Sequence, residues 1–401
     1  MIRWTTKSLG ELCEVLDRYR KPITKSDRRE GPYAYYGAMG IVDYVDGYLF
    51  DEPLILLGED GAKWGSGEPC AFKAEGKYWV NNHAHIMRPD RSQVLDDWLV
   101  YYLCGTDLLP FITGLTVPKL NQERMREIPI PVPPLEEQRR IVTVLDEAFA
   151  AIATATANAE KNLANARELF DAAARAAFDA NLTAGSFQTV AIEALALARK
   201  GSMRTGPFGS QLLHSEFVDE GVAVLGIDNA VENEFRWGKR RFITEEKCQS
   251  LSRFLVSPGD VIITIMGTCG RCAVIPNEIP RAINSKHLFC ISLDQSRCLP
   301  AYLHAYFLHA PDARAYLEER AQGSIMAGLN MGIIREMPVR LPALEAQQKL
   351  VKAIGEAKLS AATLTGLYQK KLEALAALKQ SLLHRSFTGE MTAAVPEAIA
   401  A

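Results

Sequence analysis

The feature that most constrains this chain is a repeat. Arg126-Glu127-Ile128-Pro129-Ile130-Pro131-Val132-Pro133-Pro134-Leu135-Glu136-Glu137-Gln138 returns as Arg335-Glu336-Met337-Pro338-Val339-Arg340-Leu341-Pro342-Ala343-Leu344-Glu345-Ala346-Gln347. The interval is constant: 338 − 129 = 209 and 347 − 138 = 209. Leu120-Asn121 recurs as Leu329-Asn330 and Phe178 as Phe387 at the same offset, so roughly sixty residues align without a gap. One repeat of this length marks a duplicated half-protein, since a solenoid stacks at least three short units.

Each proline run leads into a long alanine-rich, charged stretch. Proline before the first turn, with Glu136 and Glu137 beside the positive end of the helix dipole, suits a helix start. In the first copy Ile141, Leu145, Ala148, Ile152, Ala155, Ala159, Ala166, Leu169 and Ala173 recur at alternating four- and three-residue steps, with polar Asn162 in the series. The second copy gives Leu350, Ile354, Ala357, Ala361, Leu364, Tyr368, Leu375, Leu378 and Leu382 in the same register. Sustained a/d spacing predicts a coiled-coil seam. One copy offers small residues and the other larger ones, so the two suit each other. At 1.5 Å per residue each helix is roughly 65–70 Å long, too long to be wrapped inside one small domain. It reads as a spacer.

The spacers divide the chain into residues 1–134, a helix over 135–181, residues 182–342, a helix over 343–388, and a frayed tail at 389–401. Both globular parts read as mixed and strand-rich, an α+β class. Leu54-Ile55-Leu56-Leu57 is a short buried strand running into the glycine-rich Gly58–Gly67. Trp79–Ile86 is a strand with polar side chains, and Asp96–Leu103 a helix. In the second part Pro258–Gly270 stands where Leu54–Gly61 stood, and Ala282–His287 parallels Trp79–His85.

Several function classes fall away. The chain has no G-x-x-x-x-G-K-[ST] loop, no G-x-G-x-x-G after a strand and no H-E-x-x-H. Nor is there an Asn or Asp followed by Pro-Pro and an aromatic residue, the loop that holds a target amino group in many methyltransferases. His83 and His85 on one strand would share a face, but a metal site there lacks a third ligand. Cys269-x-x-Cys272 has no second pair and reads as a strand-turn. The loops Gly58–Gly67 and Gly267–Gly270 fit either plain β-turns or contacts to a DNA backbone. The Tyr33, Tyr35, Tyr36 cluster fits either core packing or a site. Met1–Lys7 has no apolar export segment and no eighteen-residue apolar run follows, so no membrane partner is expected and a cytoplasmic location is. A net charge of −3 is unlike that of a stand-alone nucleic-acid binder. Basic residues nevertheless cluster at Arg18–Arg29, at Arg199, Lys200 and Arg204, and at Arg236–Arg241, where local patches can grip phosphates.

Taken together, Tyr35-Tyr36-Gly37-Ala38-Met39-Gly40-Ile41-Val42-Asp43-Tyr44, Leu56-Leu57-Gly58-Glu59-Asp60-Gly61, Thr205-Gly206-Pro207-Phe208-Gly209-Ser210 and both copies of Pro-x-x-x-Pro-x-Leu-Glu-x-Gln resemble the specificity subunit of type I restriction–modification systems. The resemblance covers all but the tail. It implies two target recognition domains, each reading half of a split DNA sequence. It implies that the helices pack as an antiparallel coiled coil, acting as ruler and docking surface for two modification subunits. Those partners would bring S-adenosylmethionine and methylate adenine, and restriction subunits would add ATP- and Mg2+-dependent translocation and cleavage. No catalysis and no cofactor are then expected of this chain. Its Met326-Ala327-Gly328 departs from the polar residues commoner before Leu-Asn.

Only the major groove distinguishes all four base pairs. The expected readers are Tyr36, Lys63, Trp64, Asn82 and His83 in the first domain, and Ser210, Arg240, Arg241, Thr268, Arg271 and Lys286 in the second. Two domains on one face of B-DNA would sit about one helical turn apart, ~34–36 Å. The expected docking and coiled-coil residues are Leu135, Gln138, Ile141, Leu145, Ile152, Leu344, Gln347, Leu350, Ile354, Leu364 and Leu375. Rivals from other classes are a metal-dependent hydrolase using His83 and His85, and a coiled-coil adaptor binding protein. Within the family, a methylation-only or phage-exclusion system is the alternative.

Overall fold

The computed structural model describes residues 4–114, 116–183, 186–321 and 329–392. They form two compact units, Met1–Asn162 with Tyr368–Ala401, and Leu163–Leu367. Both carry a four-stranded antiparallel sheet and a second, mixed sheet, which has four strands in the first unit and three in the second among the described residues.

In the first unit one antiparallel sheet runs in the order Cys13–Val15, Ala84–Pro89, Leu54–Gly58, Ala71–Ala74. A second runs Gly40–Val45, Tyr33–Gly37, Lys77–Val80, Phe50–Asp51, its middle pair parallel. The second unit repeats the first sheet as Met203–Thr205, Leu288–Ile291, Val261–Thr264, Cys272–Val274. It repeats the other as Phe242–Ile243, Val222–Leu225, Ala282–Asn284, again with a parallel pair. Leu54–Gly58 and Val261–Thr264 are buried at every position. Strands covered on both faces have no polar side to alternate with, which explains their unbroken apolar runs.

The proline runs are strands: Pro129–Val132 pairs antiparallel with Thr5–Ser8, and Pro338–Leu341 with Gln188–Ala191. Proline is tolerated there because a two-stranded ribbon leaves each strand an edge needing no N–H donor. Asn121 and Asn330 cap the short helices just before them, accepting from the Arg124 N–H at 2.9 Å and the Ile333 N–H at 3.0 Å.

The long helices span Leu135–Thr183 and Leu344–Phe387. Gln138 and Gln347 are wholly buried and make the same three bonds. Gln138 accepts from the Leu95 N–H and donates to the Gln93 and Pro133 carbonyls. Gln347 accepts from the Leu299 N–H and donates to the Arg297 and Pro342 carbonyls. Each glutamine thus ties the head of a long helix to the loop that starts the domain helix, Asp96–Gly105 or Pro300–His309. The tails are seated by the repeated phenylalanines. Phe178 meets Tyr302 and Tyr306, while Phe387 meets Trp98 and Tyr102.

In the first unit the head residues Ile141 and Leu145 share a core with the tail residue Leu383. In the second, Leu350 and Ile354 share one with Ala174 and Phe178. Head lies by tail, so the pair is antiparallel. The predicted seam holds through Ile152, Ala159 and Ala166 and through Ala361, with Leu364 and Leu375 half-buried. It fails at Leu169 and Leu378, which are 55% and 47% exposed. Ala174 and Leu383 take their place. A 3.6-residue helix drifts against a 3.5-residue repeat, and the tails pack on a domain and not only on each other. One eighteen-residue window within Leu135–Ala180 reaches a mean hydropathy of 1.2, enough by length and composition for a membrane span.

The expected strand over Trp79–Ile86 is two strands, broken where the Asn81 side chain accepts from the His83 N–H at 2.8 Å in a local turn. The tail is anchored at its start, since Arg140 donates to the Met391 carbonyl. Residues 393–401 and Met326-Ala327-Gly328 lie outside the described residues.

Candidate nucleic-acid interface

In both units the parallel strand pair ends at one edge, where three loops are bonded side by side. In the first unit the Asn81 N–H donates to the Tyr36 carbonyl, Glu59 N–H to His83, and Gly58 N–H to Cys70. In the second, Ser285 N–H donates to Leu225, Ile265 N–H to His287, and Thr264 N–H to Arg271. The correspondence runs bond for bond and puts Asn82 and His83 where Lys286 and His287 stand. A side chain at Gly58 would collide with Ala62 Cβ at 2.4 Å and the Ala38 carbonyl at 2.9 Å, so glycine is what lets the loops meet.

The expected readers fall unevenly on this surface. Lys63, Asn82 and His83 are exposed on the first unit's loops. Tyr36 is half-buried against Tyr78 and Phe72, and burial raises its phenol. Trp64 does not belong there: it is 5% exposed and its indole donates to the Gly58 carbonyl, which makes it a core residue. Tyr35 is core as well. In the second unit Ser210, Arg240, Thr268, Arg271 and Lys286 are exposed, and Arg241 is half-buried beside Asp228 at 3.5 Å.

His83 and His85 share no face. His83 lies in the turn and pairs with Asp60, whereas His85 is buried, with Nδ1 2.6 Å from Asp17 and Nε2 2.7 Å from the Leu120 carbonyl. Asp17, Glu59 and His85 do bring three ligand-type atoms within 4.8 Å of one another. Yet Arg20 binds both carboxylates and Lys119 holds Glu59 at 2.7 Å. Burial alone would raise both acids, but the His85 bond to Asp17 and the Lys119 and Arg20 bonds to Glu59 hold them below their ordinary values. A metal would have to displace two cations. This is an internal ion network.

The basic clusters divide likewise. Arg20 and Arg28 are committed to Glu59 and Asp43, and Arg204 to buried Asp260 at 2.7 Å. The Arg236–Arg241 segment instead borders a cleft of about 870 Å³, with Lys239, Arg240, Arg241 and Lys286 on its wall. Asp228 Oδ2 and Ser285 Oγ, on the same wall, have no hydrogen-bond partner among the described residues. Gln138, Ile141, Leu145, Gln347, Leu350 and Ile354 are buried inside their own unit at the heads of the long helices, as coiled-coil residues would be. Leu135 and Leu344 are half-buried.

Residues 1–163 and 222–369 match the type I restriction modification DNA specificity domain. The chain belongs to that family. It is 37% identical over 146 residues to a putative type I restriction enzyme specificity subunit of Haemophilus influenzae, covering 36% of this chain and 37% of that one. To the EcoBI specificity subunit of Escherichia coli it is 22% identical over 299 residues, 70% of this chain and 62% of the relative. The match to the MjaVIII specificity subunit of Methanocaldococcus jannaschii is 20% over 416 residues, covering 97% and 93%. Thus the matches span about a third and just under two thirds of the first two relatives. Among solved structures, the HsdS subunit of Thermoanaerobacter tengcongensis superposes with a TM-score of 0.62 at 17% identity, over 96% and 97% of the two chains. A chain from a type I restriction–modification assembly gives 0.69 at 17%, over 96% and 98%. Those likenesses concern the fold. The two domains here are specificity domains of the family.

Proposed function

We propose that this specificity subunit reads a bipartite duplex sequence, one half with each three-loop surface, and that the helix pair fixes the unread gap. The observation that carries the reading is the bond-for-bond duplication of those surfaces on helices anchored by Gln138 and Gln347. Two copies of one modification subunit need two equivalent footholds. Leu169 and Leu378, 209 residues apart and both exposed, are one such equivalent pair of positions on the long helices. The partners would supply S-adenosylmethionine for adenine methylation, and restriction subunits would supply ATP- and Mg2+-driven cleavage, all in the cytoplasm.

Genome-wide mapping of methyladenine in cells expressing the chain with its modification subunit tests this. The expected motif is split by a fixed gap, and one added helical turn in both long helices should lengthen the gap while sparing both halves. A continuous motif would contradict the reading.

A further inference from the structure

We propose that Arg240 reads a guanine in the half-site of the second domain, its guanidinium donating two hydrogen bonds to O6 and N7. The inference rests on the bipartite reading above and adds the base and the residue.

Two arginines line the cleft, and they are not equivalent. Arg241 is half-buried and faces Asp228 at 3.5 Å. Gly226 makes room for this pair, since a Cβ there would lie 2.6 Å from the Arg241 guanidinium and 2.7 Å from Asp228. Arg241 is therefore occupied within the protein. Arg240 is exposed and, among the described residues, has no carboxylate within ion-pairing distance. Its guanidinium lies over the Trp237 ring, 5.2 Å from the centroid, and Phe235 braces that ring edge-on at 5.3 Å.

Stacking on an indole removes rotamer freedom that a free arginine would lose on binding, while leaving the in-plane N–H donors open. A planar two-donor fork matches guanine O6 and N7 in the major groove; adenine offers N7 but a donor at the neighbouring position. Lys239 and Lys286 on the same wall are flexible point charges, suited to the flanking phosphates but not to bidentate recognition. The cleft thus combines one pre-oriented reader with cations that hold the backbone.

The test uses the full chain co-expressed with its modification subunits, with methyladenine mapped for wild type, Arg240→Ala, Arg240→Gln and Trp237→Leu. Wild type should show at least one G·C pair in the half read by the second domain. Arg240→Ala should cut selectivity at one such pair by about tenfold or more, with every other position unchanged. Arg240→Gln should also lose the preference for guanine, and Trp237→Leu should weaken it in part. Relaxation at an A·T pair, an unchanged motif, or uniformly weaker methylation on an unchanged motif would each overturn the proposal; the last would make Arg240 a phosphate contact. If an alanine variant fails to accumulate, Arg240→Gln decides alone. A continuous wild-type motif, by contrast, would sink the bipartite reading itself.

Discussion

The two recognition domains share a topology and differ in how they use charge. In the first, Arg20, Arg28 and Lys119 are committed to Asp17, Asp43 and Glu59, so the loops are braced by ion pairs and Asn82, His83 and Lys63 are left exposed on them. In the second, buried Arg204 and Asp260 do the bracing, and Lys239, Arg240 and Lys286 are left around a cleft. One backbone plan therefore supports two chemically distinct surfaces.

The sharpest way to break the comparison is at the helix tails. Phe178 is wholly buried and Phe387 half-buried. Phe178→Ala should destabilise the second unit by about 3–5 kcal/mol, and Phe387→Ala the first by roughly half that. Hydrogen exchange resolved by unit would read both; equal losses would mean that the seats are equivalent despite their exposure. Next come the glutamines. Gln138→Ala and Gln347→Ala each strand a backbone N–H and two carbonyls, so each should cost about 2–3 kcal/mol, and by the same amount, in urea unfolding.

Acid should separate the units. Burial, foremost, lowers His309 in the second unit to about 4. The unfolded ring has an ordinary value near ~6.5 and binds a proton first. The stabilisation is therefore full above that value and lost as pH falls through about 4, up to about 2 kcal/mol. Asp17 and Glu59 in the first unit are depressed acids, so their contribution persists until pH falls below the ordinary carboxylate range, about 4. Exchange protection at pH 5 should drop in the second unit before the first, and His309→Gln should remove the difference. The smallest effect concerns the lysines. If Lys63 and Lys286 each neutralise one phosphate, alanine at either should lower the salt slope of complex–DNA binding by about one.

What was legible in the sequence follows the repeat. Gln138 and Gln347, Asn121 and Asn330, and the paired phenylalanines were visible because both copies need the same bonds. Their roles were less so: an identical glutamine looks like a docking residue until it is seen buried. Loop residues carried no such signal. Charge alone does not reveal that Arg20 is paired and Arg240 is not, and Trp64 looks like a reader until its indole is found on the Gly58 carbonyl. The helix seam was readable for two thirds of its length and drifted where a domain replaced the partner helix.

One further consequence lies in the chain's connectivity. The first strand, Thr5–Ser8, and the end of the second long helix at Phe387 both belong to the first unit, with Trp4 and Phe387 packed on the same Trp98 ring. Each unit is completed by a helix head from one copy and a helix tail from the other. The order of the copies along the gene is then arbitrary. A chain opened after Thr183, with a linker from Phe387 back to Thr5–Ser8, would keep the same set of contacts within each unit.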